Sequence, residues 1–236
     1  MQKTVIIVAG GKGLRMGGDL PKQFLPLQGQ PVLMHTITMF YQWDSTVDLI
    51  IVLPEKHVAY WKMLSKELNF KIPHRAVSGG ETRFHSVQHG LDAVHDISRL
   101  CEYANQSGTE EVAKKLIAIH DGVRPLVSPE VITACFKTAE TYGTAIPVIP
   151  IMESIREING DESRPFDRSR LCVVQTPQVF HADILIGAYN QPYNAQFTDD
   201  ASVVEATGHK IHLVNGNIEN IKITTPFDLQ YAEYFI

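Results

Sequence analysis

The sequence has few cysteines, no long apolar run and no excess of basic residues. Its three cysteines among 236 residues form no C-x-x-C pair, which argues against a disulfide framework or a zinc knuckle. No apolar run approaches the roughly 20 residues that span a bilayer, and the N-terminal apolar run lacks a signal-peptide cleavage site. We therefore expect a cytoplasmic protein without a membrane partner. A net charge of −5 also disfavours nucleic acid, which requires a basic footprint.

Short apolar runs alternate with helical patterns along a chain of ordinary globular composition, with 44% hydrophobic and 20% charged residues. Strands are predicted at Val5–Ala9, Asp48–Leu53, Leu116–His120, Thr144–Ile149 and Lys210–Val214. Helices are predicted at Pro31–Tyr41, His57–Leu68, Thr82–Val94, Pro129–Tyr142 and His181–Tyr189, and after Thr225. The strands are almost continuously apolar, as strands buried on both faces are. The pattern predicts an α/β domain with a mainly parallel sheet.

Two segments depart from this alternation. Residues 97–115 are polar and weakly periodic, and we interpret them as a surface excursion. Residues 151–180 carry two alternating runs around Asn159-Gly160, which predicts a β-hairpin. An arm of this kind, inserted in an α/β domain, often packs against another subunit.

The strongest chemical signal follows the first strand, where glycines are interspersed with cations up to Lys22. Glycines let the backbone approach phosphates, and their N–H groups can form an anion nest. Arg15 and Lys22 add positive charge. The loop is not a P-loop, because neither Ser nor Thr follows Lys12, and Met16 breaks the dinucleotide-binding G-x-G-x-x-G pattern. The residues predict a phosphate-binding loop.

Six motifs in order along the chain resemble methylerythritol-phosphate cytidylyltransferases. They are Ala9–Gln23, Gly79–Val87, His120–Pro125, Gln175–Gln178, Thr198–Ser202 and Asn220–Thr224. The resemblance implies an α/β, three-layer Rossmann-like nucleotidyltransferase fold with a mainly parallel sheet. It also implies a single domain over residues 1–236 and an inserted β-arm at about 151–178 through which a homodimer forms.

The implied reaction transfers CMP from CTP to a small polyol phosphate, most specifically 2-C-methyl-D-erythritol 4-phosphate. By resemblance the catalytic cations are Arg15, Lys22 and Lys222. The CTP-binding residues are Ala9, Gly10, Gly11, Gly13, Gly80, Glu81, Ser86 and Asp121. The acceptor-binding residues are Asp121, Arg124, Ser154, Arg168, Thr176 and Thr198. Mg²⁺ is expected to be held mainly by the CTP phosphates, with Asp121 as a candidate ligand.

Two residues depart from the family's usual pattern. Ser154 stands where threonine is common, which keeps the hydroxyl, and Asp200 replaces a frequent glutamate. By resemblance the Gly79–Glu81 backbone and Ser86 bind the cytosine base, and Arg83 is expected to support this loop. By position alone, Lys222 would be a solvated lysine beside a strand.

His85, His89 and His95 share a predicted helix but lack the glutamate of H-E-x-x-H, so we interpret them as helix-surface residues.

Rival functions come from within and outside this class. A ribitol-5-phosphate cytidylyltransferase would share the fold and most loop motifs, and only acceptor contacts would separate the two. A glycosyltransferase usually carries a D-x-D motif after a central strand, which His120–Val123 does not supply. A non-catalytic nucleotide-binding module would tolerate loss of Arg15, Lys22 or Lys222.

Overall fold

The computed structural model describes residues 1–11, 20–94 and 115–236. The strands are β1 Gln2–Val8, β2 Pro26–Leu27, β3 Gln30–Pro31, β4 Asp48–Leu53, β5 Arg75–Ser78, β6 Lys115–Asp121, β7 Thr144–Pro150, β8 Ile155–Asn159, β9 Glu162–Phe166, β10 Cys172–Val174, β11 Gln178–His181 and β12 Leu213–Asn215. The helices are α1 Val32–Trp43, α2 Glu55–Glu67, α3 Arg83–Asp92, α4 Pro129–Tyr142, α5 Ala182–Tyr189, α6 Asp200–Glu205 and α7 Pro226–Glu233. Apart from Lys115, the predicted surface excursion at 97–115 lies outside the described residues.

The main sheet has the order β10-β7-β11-β6-β1-β4-β5, and β12 pairs with β7. Strands β6, β1, β4 and β5 are parallel neighbours, so the predicted parallel core is confirmed. Strand β11 runs antiparallel between β6 and β7. Hairpin β8–β9 forms a separate two-stranded sheet around the predicted turn, where Gly160 has φ +60°.

Alternate side chains of the central strands pack on opposite faces of the sheet, because successive strand residues point to opposite sides. Val5 and Ile7 of β1 pack in one cluster with side chains of α1, α2 and α4. Ile6 packs in a second cluster with side chains of α3, α5 and α6. The result is the predicted three-layer arrangement, with helices covering both faces.

Two helices begin with the capping pattern that the sequence predicts. The Ser128 hydroxyl accepts from the Val131 N–H at the start of α4, with Pro129 at the first helical position. Thr225 and Asp228 form a reciprocal capping box at the start of α7. None of the described helices has the length and apolar character needed to cross a membrane.

The strand predicted at Lys210–Val214 is wrong at its start, since β12 begins at Leu213. The Thr144 hydroxyl donates to the Lys210 carbonyl at 2.8 Å and accepts from the His212 N–H at 3.2 Å. These side-chain bonds add to one backbone bond, from the Ile146 N–H to the His212 carbonyl at 2.9 Å, and no regular ladder forms before Leu213. The short strands β2 and β3, strand β11 and helix α6 were not predicted. The second run of the hairpin was predicted to end near Val174, but β9 ends at Phe166, and Cys172–Val174 joins the main sheet as β10.

Stability is expected to depend on pH through His74. Its Nδ1 donates to the Ile72 carbonyl at 2.7 Å, so its neutral Nε2 accepts from the Trp61 indole at 2.9 Å. Burial lowers the pKa of His74 from its ordinary 6.5. The unfolded chain therefore binds this proton more readily, and the stability it contributes is lost as the pH falls below 6.5.

Urea unfolding of wild type and His74→Gln at pH 7.5 and 5.5 measures this effect. The wild type is expected to lose more free energy of unfolding on acidification than His74→Gln, by up to about 1.4 kcal/mol per pH unit. His209→Gln, at an exposed position, is the matched control and should follow the wild type. Equal losses in wild type and His74→Gln would contradict the assignment.

Candidate active site

The carboxyl ends of the parallel strands align at one edge of the sheet. Val8 pairs with both Val52 and Asp121, and Leu53 pairs with Ser78. The segments that follow these strands therefore meet at that edge, where α/β sheets bind ligands. The three segments begin at Ala9, Gly79 and Gly122, whose N–H groups each bond to a carbonyl of a neighbouring strand.

Lys22 lies against the glycine turn that follows β1. A Cβ added to Gly11 would meet the Lys22 Cε at 3.1 Å and its Nζ at 3.7 Å. Ala9 is buried, whereas Gly10 and Gly11 are exposed, so the backbone of this turn is open to a ligand. The predicted pairing of a bare glycine backbone with the Lys22 cation is therefore present, and it suits a phosphate.

The Gly79–Glu81 turn is packed tightly onto Ser86 of α3. The Ser86 hydroxyl donates to the Thr82 carbonyl at 2.9 Å and accepts from the Gly80 N–H at 3.2 Å. Glu81 is exposed, and Ser86 is buried. Ser86 thus holds the turn in shape, and the turn presents backbone groups at the same edge as Gly11.

Asp121, Arg124 and Lys222 form the charged centre of the edge. The Arg124 Nε and the Lys222 Nζ contact the same Asp121 oxygen, Oδ2, at 3.0 and 3.1 Å. The Arg124 Nη1 also donates to the Asn220 carbonyl at 2.8 Å. Lys222 is half-exposed, while the other two charged side chains are mostly buried. With Lys22, the set carries three cations and one carboxylate, which favours an anionic ligand.

Asp121 is charged and the adjacent His120 is neutral at neutral pH. Burial raises the pKa of Asp121, but Lys222, Arg83 and Arg124 outweigh it and hold this pKa well below its ordinary value. Asp121 is therefore a carboxylate. Burial lowers the pKa of His120 to about 4, so its imidazole is neutral.

Comparison with known proteins identifies the family of the chain. The family model for 2-C-methyl-D-erythritol 4-phosphate cytidylyltransferase matches residues 3–236. The chain belongs to that family. It is 51% identical to the enzyme of that name from Phocaeicola vulgatus over 236 residues, which is 100% of both chains. It is 38% identical to the one from Alkaliphilus oremlandii, covering 98% of this chain and 93% of the relative.

Solved structures agree with this cytidylyltransferase fold. The 2-C-methyl-D-erythritol 4-phosphate cytidylyltransferase of Francisella tularensis superposes with a TM-score of 0.77 at 25% identity, covering 100% of both chains. The Thermus thermophilus protein of the same name gives 0.71 at 26% identity, covering 100% of this chain and 98% of that one. These likenesses confirm the α/β fold class that the sequence predicts.

The residues that the family resemblance assigns to the acceptor fall in two groups. Thr176 is buried beside Asp121, whose N–H donates to its hydroxyl at 3.1 Å. Ser154 and Arg168 lie on the exposed arm, and the Arg168 Nη1 donates to the Met152 carbonyl. Both arm residues are therefore exposed, whereas Thr176 is buried in the cluster around Asp121.

The remaining predicted site residues are Thr198, Arg15 and Gly13. Thr198 is exposed, and its N–H donates to the Ser202 hydroxyl at the start of α6. Arg15 and Gly13 of the cytidylyltransferase signature loop lie outside the described residues.

Two of the three histidines predicted to share one helix bond to neighbouring groups. The His85 Nδ1 meets the Thr82 hydroxyl at 2.9 Å, and the His89 Nδ1 donates to the Ser78 carbonyl at 3.0 Å. His95 lies outside the described residues. Over the described ranges, no three His, Cys, Asp or Glu side chains are grouped so that they could hold a metal ion.

The ion pair of Arg83 with Asp200, beside the Gly79–Glu81 turn, was not predicted from the sequence. Arg83 donates through both Nη atoms to the two carboxylate oxygens of Asp200, at 2.7 and 2.5 Å. Tyr189 donates its hydroxyl to the same carboxylate at 2.6 Å. Asp200 is fully buried, so its charge is balanced by Arg83 rather than by solvent. The predicted support of the loop by Arg83 thus depends on a partner 117 positions away, which no local pattern shows.

Adding a methyl group at Gly79 should damage CTP use. Its Cβ would lie 2.8 Å from the Ser86 Oγ and 3.1 Å from the Val52 Cγ1, so the turn must shift. Gly79→Ala is expected to raise the KM for CTP by about tenfold or more, which corresponds to about 1.4 kcal/mol. Gly187→Ala is the matched control, because nothing lies within 4 Å of its added Cβ. An unchanged KM in Gly79→Ala would remove the turn from the CTP site.

Proposed function

We infer that the chain transfers CMP from CTP to 2-C-methyl-D-erythritol 4-phosphate. The products are 4-diphosphocytidyl-2-C-methyl-D-erythritol and pyrophosphate, and the step belongs to non-mevalonate isoprenoid precursor synthesis. The observation that carries this inference is the full-length family match, which coincides with a cationic cluster at the ligand-binding edge of the sheet. The ribitol-phosphate alternative has no support among these relatives.

The reaction brings two anions together, and the cluster offsets their repulsion. An oxygen of the acceptor phosphate attacks the α-phosphorus of CTP, and pyrophosphate leaves. Lys22, seated at the glycine turn, is suited to the triphosphate, and Lys222 to the α-phosphate and the incoming phosphate. Such preorganised cations stabilise charge where it develops in the transition state. Arg15 is proposed as a further triphosphate cation.

The Gly79–Glu81 turn is the proposed site for the cytosine base. Cytosine offers one exocyclic amine donor and the acceptors O2 and N3. Backbone N–H and C=O groups at a glycine turn can pair with both kinds of group. The Ser86 hydroxyl already donates to Thr82 and accepts from Gly80, and its second lone pair can accept from the cytosine amine.

Mg²⁺ is the proposed cofactor. It prefers oxygen ligands, keeps several waters and commonly uses one or two carboxylates together with substrate phosphates. Asp121 fits that requirement as a single buried carboxylate beside the phosphate cations, and both of its ion pairs use Oδ2. When bound, the metal would supply charge neutralisation at the triphosphate.

Pyrophosphate release tests the proposed activity. Purified protein is given CTP and Mg²⁺ with either 2-C-methyl-D-erythritol 4-phosphate or ribitol 5-phosphate. Turnover with the methylerythritol phosphate alone is expected. Turnover with ribitol 5-phosphate alone would keep the fold and the cation cluster but overturn the acceptor assignment.

The arm is the proposed homodimer contact. It exposes an unusual number of large apolar side chains, namely Met152, Ile158, Phe166, Leu171, Val173 and Val174. Exposed apolar groups concentrated in one segment are typical of protein interfaces. In the proposed dimer, the exposed residues Ser154 and Arg168 would serve a partner's active site.

Mixing two impaired variants, assayed at an acceptor concentration well below the KM of the Arg168 variant, tests whether Arg168 acts across the dimer. Lys222→Met and Arg168→Met each carry one lesion per subunit. If Arg168 serves the partner's site, each mixed dimer has one intact site and one doubly damaged site. Co-refolded mixtures should then recover up to about a quarter of wild-type activity, since half of the dimers are mixed. Failure to recover activity, with dimers present by light scattering, would contradict action across the dimer.

Arg168→Met is also expected to separate the two substrates. The planar guanidinium can bind a phosphate bidentately, which methionine cannot. The acceptor KM should rise by about tenfold to a hundredfold, while the KM for CTP changes little. Arg156→Met, on the same arm and bonded to Ser163 of the hairpin, is the matched control. Equal damage to both KM values would remove Arg168 from the acceptor site.

The proposed partners are therefore CTP, the polyol phosphate and a second copy of the chain. The net charge of −5 supports the absence of a nucleic-acid partner. A cytoplasmic location follows from the proposed metabolic role, in which both substrates are small cytosolic anions.

A further inference from the structure

His120 is a fully buried residue that uses both of its ring nitrogens next to Asp121. Its Nε2 lies 3.1 Å from the Arg124 carbonyl, which can only accept, so Nε2 carries the proton. The neutral ring then has an acceptor at Nδ1, and the Thr176 hydroxyl donates to it at 3.0 Å. The edge of the ring packs on Phe40, with 4.8 Å between centroids. The orientation of the imidazole is thus fixed on three sides.

The Thr176 hydroxyl both donates and accepts a hydrogen bond. It donates to His120 and accepts from the Asp121 N–H at 3.1 Å. The hydrogen bonds therefore run from the Asp121 N–H through Thr176 and His120 to the Arg124 carbonyl. This relay spans the turn that carries both charged residues of the cluster.

Asn220 ties the same relay to the segment of Lys222. Its side-chain Nδ2 donates to the Thr176 carbonyl at 2.9 Å, and its own carbonyl accepts from the Arg124 Nη1 at 2.8 Å. Asn220 is fully buried and lies two positions before Lys222. Side-chain hydrogen bonds therefore join three segments that are distant in sequence. One carries Asp121 and Arg124, one carries Thr176, and one carries Asn220 and Lys222.

We propose that His120 is a positioning residue for cytidylyl transfer, acting through the Thr176 hydroxyl to hold Asp121 and Arg124 in register with Lys222. The proposal rests on the proposed function. It assigns His120 no proton transfer and no contact with substrate. It reassigns the Thr176 hydroxyl, which the resemblance gives to the acceptor, to the link between the imidazole and the backbone of Asp121.

Variants that remove one hydrogen-bonding group at a time test the His120 and Thr176 ends of this relay. His120→Gln can keep a donor near the Arg124 carbonyl while losing the acceptor at Nδ1. Thr176→Val removes the hydroxyl at constant shape, and Thr176→Ser keeps it. Because a misplacement of about 1 Å can cost about a hundredfold in rate, His120→Gln and Thr176→Val should each lower kcat by about tenfold to a hundredfold. Both KM values should change less than about threefold.

The double variant His120→Gln/Thr176→Val decides between positioning and substrate contact. If both residues act through one hydrogen bond, its kcat should match that of the worse single variant, and Thr176→Ser should retain most activity. Multiplying losses, with a raised acceptor KM in Thr176→Val alone, would mean that Thr176 contacts the acceptor and would overturn the proposal. An unchanged kcat in folded single variants would also overturn it.

The outcome is separable from that of the proposed function. Absence of turnover in the wild type would refute cytidylyl transfer itself, whereas active wild type with unaffected variants would refute only the relay. Thermal unfolding of each variant reports whether it is folded. If His120→Gln does not fold, Thr176→Val is compared with Thr176→Ser, and a kcat difference below about threefold would overturn the proposal.

Discussion

Lys222→Met is expected to lower kcat by about a hundredfold to a thousandfold, because it removes a preorganised cation at the site of transferred charge. The side chain is half-exposed and bonds only at its tip to Asp121, so little stability should be lost. Asp121 keeps its second partner, Arg124, and the turn should keep its shape. Steady-state kinetics with CTP and the acceptor, together with thermal unfolding, measure both expectations.

The control for this variant is a lysine of similar exposure elsewhere. Lys62→Met, on the exposed side of α2, should leave kcat unchanged. A kcat within about threefold of wild type in Lys222→Met would return Lys222 to the status of a solvated surface lysine and would leave the cluster without its α-phosphate cation.

Asp200→Ala is expected to cost about 3–5 kcal/mol of folding free energy. It leaves the Arg83 guanidinium, which is less than one-third exposed, without its carboxylate, and leaves the buried Tyr189 hydroxyl without its acceptor. Breaking one side of a buried ion pair costs this much because the remaining charge is desolvated and uncompensated. The midpoint of thermal unfolding should fall by about 6–20 °C for a chain of this size.

An exposed ion pair on the same chain provides the comparison. Glu157 pairs with Arg164 on the arm at 2.5 Å, where both side chains are largely solvated. Glu157→Ala should cost less than about 1 kcal/mol. The double variant Arg83→Leu/Asp200→Leu should be more stable than Asp200→Ala, since it leaves no uncompensated charge. A cost below about 0.5 kcal/mol for Asp200→Ala would show that the pair does not stabilise the fold.

Sequence patterns predicted the helices and strands whose defining pattern lies within one segment of the chain. The strand at Asp48–Leu53 and the helix at Pro129–Tyr142 have their predicted bounds, because a buried apolar run and a capped amphipathic pattern are each complete within one segment. The predicted position of the site at the glycine turns follows from the same strands. Their parallel order brings Ala9, Gly79 and Asp121 to one edge.

Antiparallel β11 was missed for a physical reason. Its four residues, Gln178–His181, run directly into α5, and the apolar character of the two elements is continuous. Its place between β6 and β7 depends on pairing with strands more than 30 positions away along the chain. Such pairing leaves no periodic signal inside a four-residue segment.

The unpredicted parts of the site are long-range contacts. The buried Asp200 meets Arg83 only because α6 packs beside α3 in the folded chain. Lys222 reads as a solvated lysine until the fold places it 3.1 Å from the Asp121 Oδ2. His120 gives no sequence signal of its role, since the role depends on Thr176 and Arg124 at the two ring nitrogens.

Phosphorus NMR of the reaction mixture tests the central claim most directly. Purified protein with CTP, Mg²⁺ and 2-C-methyl-D-erythritol 4-phosphate should consume both substrates equally. It should yield the paired signals of a diphosphate diester together with one equivalent of pyrophosphate. Conversion of CTP to CMP with the acceptor unchanged, or no consumption of CTP by folded protein, would contradict cytidylyl transfer at this site.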